Sequence, residues 1–271
     1  MPPDLCFRAG MGLSAALERF AFVLALIQRP DQVRRVAHEL GQDAAAEGVT
    51  TLEVRFAPQL HRGGSLEEVV DAALEGLAGR GGLILCGLYG EPPAVLERLV
   101  EVARTRPGVV GIDLAGGPDP AHAHGLADYA PAYRRAGELG IGRTVHAAEG
   151  RSAREVRQAI ELLGAQRLGH ATTLLDPDEQ GPVVDLVLSR GVTIEACPTS
   201  NVHTGAVPAL EAHPLPRWLA LGVKACINSD NTLLSATDAR REHELASRLP
   251  GMSPALLAQA LANGHAGAFR R

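Results

Sequence analysis

From residue 48 onward, short apolar runs of strand length alternate with longer amphipathic stretches. In the longer stretches apolar residues recur at i, i+3 and i+4, which is the spacing of a helix that covers a core. This alternation predicts βα units built around a parallel sheet. The predicted strands are residues 49–56, 83–89, 109–114, 143–147, 167–171, 192–196 and 223–228, and the predicted helices between them include 65–78, 93–104, 153–163, 182–189 and 215–221.

The first 47 residues follow a different pattern, in which no segment has the character of a strand. Residues 13–27 and 32–47 have helical periodicity, and Asp31 is a suitable N-cap for the second helix. A closed barrel of βα units has eight strands. We therefore expect seven parallel strands, in a chain that begins after the position of the first barrel strand.

Polar residues at the predicted strand ends distinguish two architectures, a (β/α) barrel and a doubly wound open sheet. A barrel builds its site from the C-terminal ends of many strands, whereas an open sheet places its ligand at one crossover beside a glycine-rich turn. The sequence contains neither GxGxxG nor GxxxxGK[ST]. A single TIM-type (β/α) barrel domain over residues 1–271 is favoured, because polar residues occur near the ends of several strands: Glu53, Arg55, His146, Glu149, His170, Glu195, Asp230 and Asn231.

Composition narrows the possible partners and location. The 271 residues are 46% hydrophobic and 21% charged, with a net charge of −5 and a single lysine, Lys224. No Lys/Arg cluster of the kind that follows phosphates is present, so nucleic acid is not an expected partner. No apolar run reaches the roughly 18–20 residues of a membrane helix, and the run 20–27 lacks the flanks of a signal peptide, so we expect a cytoplasmic protein. Three of the four scattered cysteines lie in or beside apolar strand-like runs, where we expect buried free thiols, and we expect neither a disulfide nor a cysteine metal site.

Four side chains are candidates for a metal site and its chemistry. His146, His170 and Asp230 are of the types that bind Zn²⁺, which can supply a nucleophilic water at neutral pH. A single histidine at a strand end is more often structural, but suitable ligands at three separate strand ends favour a metal site. Glu149 follows His146 by three residues, and its alternative role is that of a solvated carboxylate at a helix start.

The segments around these residues resemble a known family. They are Leu-Glu-Val-Arg-Phe-Ala-Pro (52–58), Gly-Ile-Asp-Leu-Ala-Gly (111–116), Val-His-Ala-Ala-Glu-Gly (145–150), Arg-Leu-Gly-His-Ala (167–171), Glu-Ala-Cys-Pro-Thr-Ser-Asn-Val (195–202) and Ile-Asn-Ser-Asp-Asn (227–231). In order and interval they resemble the motifs of adenosine deaminases. The resemblance extends from about residue 13 to the tail at 263–269.

The resemblance implies a zinc-dependent barrel that replaces the exocyclic amine of a 6-aminopurine nucleoside with oxygen. It implies that His146 and Asp230 bind the zinc and that His170 orients the attacking water and shuttles its proton. By the same resemblance, Glu149 protonates the ring nitrogen beside the attacked carbon. Gly116 corresponds to a backbone position that approaches the purine edge closely, where a side chain would intrude.

Two features of this sequence differ from the family pattern. The family's His-x-His pair on its first barrel strand is not found before residue 48, and the sequence His122-Ala-His124 lies in a proline-containing loop that we do not expect to replace it. With two of the family's ligands present, zinc binding is expected to be weak unless the missing pair is supplied. Asn231 stands where the family has a second aspartate. An asparagine side chain has nearly the same size as aspartate but no charge, so a contact with the purine is predicted to remain without the charge.

Two alternatives to an adenosine deaminase remain open from the sequence. One is an inactive barrel remnant with a binding role, and the other is a deaminase of a modified adenosine or a purine nucleotide. The zinc cytidine deaminases have a different signature, which this sequence lacks. The oligomeric state is not predicted, but strand edges next to a missing strand predict association or poor solubility of the isolated chain.

Overall fold

The computed structural model describes residues 5–176 and 180–269, and within these ranges it contains seven strands. Each strand falls within a predicted run or differs from it by one residue at an end, and residues 5–47 contain no strand. The expectation of seven parallel strands that alternate with helices, in a TIM-type (β/α) fold, is confirmed. The strands are β1 Glu53–Phe56, β2 Gly82–Leu88, β3 Val109–Ala115, β4 Gly142–Ala147, β5 Arg167–His170, β6 Thr193–Ala196 and β7 Lys224–Ile227.

Helices follow the strands in the order that the sequence predicts. The helix predicted over 93–104 has those bounds, and the others predicted above are found with shifts of one or two residues. The described helices are α1 Leu13–Leu26, α2 Pro30–Ala46, α3 Leu66–Leu77, α4 Pro93–Arg104, α5 Ala130–Glu138, α6 Arg154–Leu163, α7 Gln180–Arg190, α8 Pro198–His203, α9 Leu215–Ala220, α10 Thr232–Ser235, α11 Ala239–Ser247 and α12 Pro254–Gly267.

The described residues group into two compact units. The β1–β4 unit comprises residues 22–146, 161–165 and 268–269, and the β5–β7 unit comprises 5–21, 147–160, 166–176 and 180–267. In the first unit β1 pairs with β2, β2 with β3 and β3 with β4, all parallel. In the second, β5 pairs with β6 and β6 with β7, also parallel. The prediction of a single domain over 1–271 stays a prediction.

The start of α2 and the start of β1 differ from the sequence-based expectations. Helix α2 begins at Pro30 with Arg29 as its N-cap, so the prediction that Asp31 is the N-cap is wrong. Proline suits the first helical position because a backbone nitrogen there makes no hydrogen bond within the helix. Strand β1 begins at Glu53 rather than at Val49, because the Val49 N–H donates to the Ala44 oxygen (2.9 Å) and closes the end of α2.

Residue Phe269 packs against the sheet of the β1–β4 unit. Its ring lies over two glycines, Gly111 on β3 and Gly142 on β4, and a Cβ at Gly142 would lie 2.2 Å from a ring atom. The Phe269 N–H donates to Glu53 Oε1 on β1 at 2.8 Å. The ring is thus packed on β3 and β4, where the two glycines provide the space for it, while the Phe269 backbone is bonded to β1.

The four cysteines are free thiols, and Cys86, Cys197 and Cys226 are buried. Strands β5 and β6 are buried at every position, although half of their residues are polar or charged. The buried Arg167 and Glu195 side chains form an ion pair at 2.7 Å, which offsets the cost of burying both charges. In the part of the chain that the structure describes, no helix has the combination of length and apolar character that a bilayer crossing requires.

Candidate active site

In the β5–β7 unit, the C-terminal ends of three strands bring together groups that can bind a metal. His170 is the last residue of β5, Cys197 directly follows β6, and Asp230 lies three residues after β7. One ligand atom from each of these residues lies within 4.8 Å of the other two. His170 and Cys197 are buried and Asp230 is exposed. Two predicted site residues, His170 and Asp230, are therefore neighbours.

Cys197 changes the ligand set that the sequence predicts. The absence of CxxC spacing in the sequence predicts that no cysteine belongs to a metal site. That exclusion is not supported, since the turn from β6 into α8 places the Cys197 sulfur beside His170 and Asp230. Pro198 at the first position of α8 starts the helix directly after the strand, so Cys197 stays at the strand end.

The backbone at this strand-end cluster is in an unfavourable conformation. His170, Ala171 and Asp230 have φ values of 66°, 48° and 55°, in the left-handed region that residues with a Cβ rarely adopt. Each such residue costs about 1–3 kcal/mol and persists where surrounding contacts enforce it. Here the Ala171 N–H donates to the Ala147 oxygen (3.0 Å) and the Ser200 hydroxyl donates to Asp230 Oδ2 (2.6 Å). Strain of this kind is concentrated at functional sites.

Glu149 lies beside His170 in the same unit. Glu149 Oε2 is 3.9 Å from His170 Nε2, and both side chains are about 95% buried, with exposures of 5% and 4%. The loop that carries Glu149 is fixed on both sides, because the Ala148 N–H donates to Glu155 Oε2 (2.7 Å) and the Gly150 N–H donates to the Thr172 hydroxyl (2.9 Å). A buried carboxyl group and an imidazole thus face each other, an arrangement suited to acid–base chemistry.

Asn201 and Ser200 are site residues that the sequence analysis did not identify. Asn201 is fully buried, and its Nδ2 lies 2.9 Å from His170 Nδ1. Both residues belong to the segment 195–202, which resembles a family motif, but that resemblance assigned them no role. The signal available from the sequence was a polar Thr-Ser-Asn run directly after a buried strand.

Asn231 uses its side chain to begin a helix. As the N-cap of α10, its Oδ1 accepts a hydrogen bond from the Leu234 N–H at 2.6 Å. The amide nitrogen is the part of the side chain that can donate to a ligand. The role of Asn231 in purine binding stays a prediction, and the structure assigns its oxygen to the helix cap.

His146 lies in the other unit, at the end of β4, where a buried carboxylate fixes its orientation. Asp113 Oδ2 is 2.9 Å from His146 Nδ1 and 3.0 Å from Arg55 NH1, and Asp113 has no exposed surface. Burial alone would raise the pKa of Asp113, but the nearby His146 and Arg55 outweigh it and hold that pKa well below its ordinary value. A carboxylate on Nδ1 orients a histidine whose Nε2 binds a metal. This contact supports the prediction that His146 is a ligand without testing it.

Two further predicted positions also lie in the β1–β4 unit. Gly116 has φ 81°, and a Cβ there would have no atom within 4 Å, so the space beside it is open for a ligand. Its role in substrate binding stays a prediction. His122 lies in a turn, with its Nδ1 3.2 Å from the Asp119 nitrogen. Neither His122 nor His124 belongs to the metal-capable group found in residues 5–176 and 180–269.

Comparisons with known proteins place the chain in a family. Residues 6–271 match the family described as adenosine deaminase. An adenosine deaminase from Clostridium botulinum (strain Okra / Type B1) is 36% identical over 252 residues, covering 89% of this chain and 73% of that protein. The solved structure of an adenine deaminase from Arthrobacter aurescens has a TM-score of 0.86 at 27% identity, covering 96% of this chain and 81% of the other. An amidohydrolase from Burkholderia ambifaria with bound Zn has a TM-score of 0.80 at 25% identity, covering 90% and 70%. The chain belongs to the adenosine deaminase family and is a hydrolytic deaminase of purines.

Proposed function

We propose that this chain deaminates adenosine or a closely related 6-aminopurine nucleoside, giving the 6-oxo product and ammonia. The observation that carries the proposal is the buried pair of Glu149 and His170, 3.9 Å apart, beside Asp230 at the ends of parallel strands. The relative from Clostridium botulinum, at 36% identity, supports adenosine as the substrate. The similar structure described as an adenine deaminase, at 27% identity, makes the free base adenine a second candidate substrate.

The side chains of the β5–β7 unit fit a divalent metal ion such as zinc. Carboxylate and thiolate are common zinc ligands, and here a ligand atom of Asp230 lies within 4.8 Å of one of Cys197. Asp230 is the donor that we assign to the metal, and the ligand role of His146 stays a prediction. When bound, zinc supplies Lewis acidity, which makes water a nucleophile at neutral pH.

Glu149 supplies a proton in the proposed reaction. Attack of water at the carbon that bears the amine places negative charge on the adjacent ring nitrogen. A protonated Glu149 carboxyl that donates to this nitrogen stabilises the transition state more than the ground state, which is the requirement for catalysis. Burial of Glu149 beside His170 excludes competing solvent from this proton transfer.

His170 and Asp230 have roles toward the attacking water. His170 orients the water through its imidazole. The resemblance to adenosine deaminases implies that His170 also carries the proton of this water. Asp230 accepts a hydrogen bond from the same water, and the Ser200 hydroxyl fixes this carboxylate from the other side at 2.6 Å. Asn201 fixes the imidazole of His170 in a corresponding way at 2.9 Å.

The test is a substrate series with the purified 271-residue chain supplied with zinc. Adenosine, adenine, AMP and a 6-methylamino purine nucleotide are incubated separately, and ammonia release and the ultraviolet spectrum are followed. We expect adenosine to be converted fastest and a chelator to stop the reaction. Faster conversion of another purine would show that this purine, and not adenosine, is the preferred substrate. No ammonia from any of the four, with zinc shown to be bound, would overturn the proposal.

A further inference from the structure

A line of buried hydrogen bonds runs away from His170 to the start of α9. Asn201 Nδ2 is 2.9 Å from His170 Nδ1, and Asn201 Oδ1 is 3.0 Å from His213 Nε2. The line ends at the backbone, where the Leu215 N–H donates to His213 Nδ1 at 3.2 Å. His170, Asn201 and His213 are all buried, with exposures of 3%, 0% and 4%. All four residues belong to the β5–β7 unit.

The backbone donor at Leu215 sets the direction of every bond in this line. Because a backbone N–H can only donate, His213 Nδ1 must accept, and a neutral His213 then carries its proton on Nε2. That proton requires an acceptor, so the Asn201 oxygen faces His213 and the Asn201 NH₂ group faces His170. His170 Nδ1 therefore accepts as well, and a neutral His170 carries its proton on Nε2.

The surroundings keep this arrangement fixed. Burial, followed by the nearby His170, lowers the pKa of His213 to about 4, so its imidazole is neutral at physiological pH. The His213 ring also packs edge-on against Trp218, with 5.7 Å between ring centroids. The Asn201 backbone N–H donates to the Cys197 oxygen at 2.9 Å, which anchors the amide at the start of α8.

We propose that Asn201 and His213 are positioning residues that hold His170 in the tautomer with its proton on Nε2, so that His170 meets the reacting water as a hydrogen-bond donor. The tautomer follows from the contacts of the chain itself. The part that concerns the water rests on the proposed function.

This tautomer restricts what His170 can do. The lone pair of Nδ1 is engaged by Asn201 and Nε2 carries a proton, so neither nitrogen can bind a metal. For the same reason the neutral ring cannot take the proton of the attacking water at Nε2. That proton must pass to a carboxylate, and among the described residues of this unit Asp230 and Glu149 place a carboxylate at the site, the latter 3.9 Å from Nε2. His170 is then an orienting donor rather than the proton carrier that the resemblance implies.

The direct test is ¹⁵N NMR of the full chain labelled in its histidines. Long-range ¹H–¹⁵N correlations distinguish a protonated, pyrrole-type nitrogen from a pyridine-type nitrogen, and the signals of His170 are identified by their loss in His170→Gln. We expect a pyrrole-type Nε2 and a pyridine-type Nδ1 for His170 in the wild type. A protonated Nδ1, alone or together with a protonated Nε2, would overturn the proposal before any variant is considered.

Asn201→Asp is the sharpest variant, because a carboxylate keeps the shape of the amide and can only accept. It requires a proton on His170 Nδ1, so we expect Nδ1 to change to the pyrrole type. Asn263→Asp is the matched control, since Asn263 donates to the Ala225 oxygen (3.0 Å) outside this line of hydrogen bonds. The control should leave the His170 signals unchanged. An unchanged Nδ1 signal in a folded Asn201→Asp protein would contradict the proposal.

His213→Phe provides a second, independent variant. It keeps an aromatic ring against Trp218 but removes the donor that orients the Asn201 amide. Both amide orientations then become available, and we expect His170 to show a mixture of tautomers. A single unchanged tautomer of His170 in this variant would show that His213 does not set the orientation of the Asn201 amide.

Kinetics separate positioning from simple structural support. In a chain active on adenosine, Asn201→Asp should lower kcat by about 10- to 100-fold while KM changes little, because the orienting donor is lost and the binding surface is not. A change in KM alone would contradict the positioning role. If no variant or wild type deaminates adenosine, the proposed function fails while the NMR result still decides the tautomer.

Discussion

At the residue scale, the Asn231 amide caps a helix and is predicted also to contact the purine. Its oxygen caps α10 through the Leu234 N–H, and its nitrogen is left as the donor that the sequence assigns to the purine. An aspartate at this position could cap the helix equally well, because caps require only an acceptor oxygen. An exchange of the two residues is therefore expected to affect the predicted contact with the ligand and not the helix.

We predict that Asn231→Asp shifts substrate preference without a loss of stability. The variant should gain kcat/KM on adenosine relative to another 6-aminopurine, by an amount of about 1–3 kcal/mol, which is typical of a buried hydrogen bond gained or lost. Its Tm should match the wild type, whereas the control Asn231→Ala should lose about 1 kcal/mol of stability with its cap. Equal preference in wild type and Asn231→Asp would remove Asn231 from the specificity determinants.

Glu149 provides a second prediction, which separates chemistry from metal binding. In Glu149→Gln the amide has nearly the same shape but cannot deliver a proton to the ring nitrogen, so turnover of adenosine should fall by about 10²- to 10⁴-fold. Zinc content, measured by atomic emission, should stay at the wild-type level. Glu211→Gln, at an exposed position, is the matched control. Near-normal turnover in Glu149→Gln would show that another group is the acid.

The buried neutral His213 predicts a pH dependence of stability. Its pKa is about 4 in the fold, against 6.5 for an ordinary histidine, so the unfolded chain binds a proton that the folded chain does not. The contribution is fully present above pH 6.5 and is lost as the pH falls to about 4, with a total of about 3 kcal/mol.

Urea unfolding at several pH values between 7 and 4 measures this contribution. Wild type should lose stability more steeply on acidification than His213→Phe. His61 and His203, whose pKa values are also lowered by burial, contribute equally to both proteins and cancel in the difference. Parallel curves for the two proteins would contradict the assignment.

The sequence predicted which residues belong to the candidate site better than it predicted which side chains contact each other there. His170, Glu149 and Asp230 could be identified because each lies at the C-terminal end of a strand or within three residues after it, where barrel enzymes place their chemistry. The roles of Cys197 and Asn201 could not, since they depend on how the turn from β6 into α8 orients two side chains toward a neighbouring strand. Such orientation is a tertiary property that a linear pattern does not contain.

At the scale of elements, helix α3 shows a boundary that local chemistry determines. Ser65 caps it, with its hydroxyl accepting from the Glu68 N–H (3.3 Å) while Glu68 Oε2 accepts from the Ser65 N–H (2.8 Å). The sequence predicted the start of this helix at Ser65. The pattern of a serine followed three residues later by glutamate is a capping box, which is readable without any tertiary information.

We predict that Ser65→Ala lowers the free energy of unfolding by about 1 kcal/mol, because the cap acceptor is lost. Ser247→Ala is the control, since Ser247 is exposed in α11 and bonds within its own helix. Urea unfolding of the two variants beside the wild type measures the difference. Equal losses in the two variants would argue against a specific role of the cap.

Helices α5, α11 and α12 are elements that the sequence analysis did not predict. In α12 the described side chains include one buried residue, Ala260, and in α11 the buried residues are Glu242 and Ala246. Neither helix presents the apolar stripe by which amphipathic helices are recognised. Glu242 is buried because its carboxylate accepts from the Thr237 hydroxyl (2.6 Å) and the Thr199 N–H (3.1 Å).

At the scale of the whole molecule, the surface of α1 carries large apolar side chains. Phe22 and Leu26, one turn apart on this helix, are 52% and 60% exposed. Adjacent exposed apolar groups favour association, which is also what the sequence predicts for this chain.

Phe22→Gln combined with Leu26→Gln should therefore reduce association of the chain, as measured by light scattering over a range of concentrations. Ala25→Gln on the same helix adds a polar group while removing little apolar surface, and it serves as the control. If the double variant associates as strongly as the control, α1 is not the surface responsible.

The ring of Phe269 has a consequence for synthesis on the ribosome. The ring completes the packing of β3 and β4. The Phe269 backbone is bonded to Glu53 on β1, which lies 216 positions earlier in the chain. A chain made from its N-terminus must therefore hold β1–β4 without this ring while all of residues 148–268 are added. During that interval the space over Gly111 and Gly142 is unfilled, and apolar strand surface is available to chaperones and to other nascent chains. Translation speed beyond β4 then determines how long this surface is exposed.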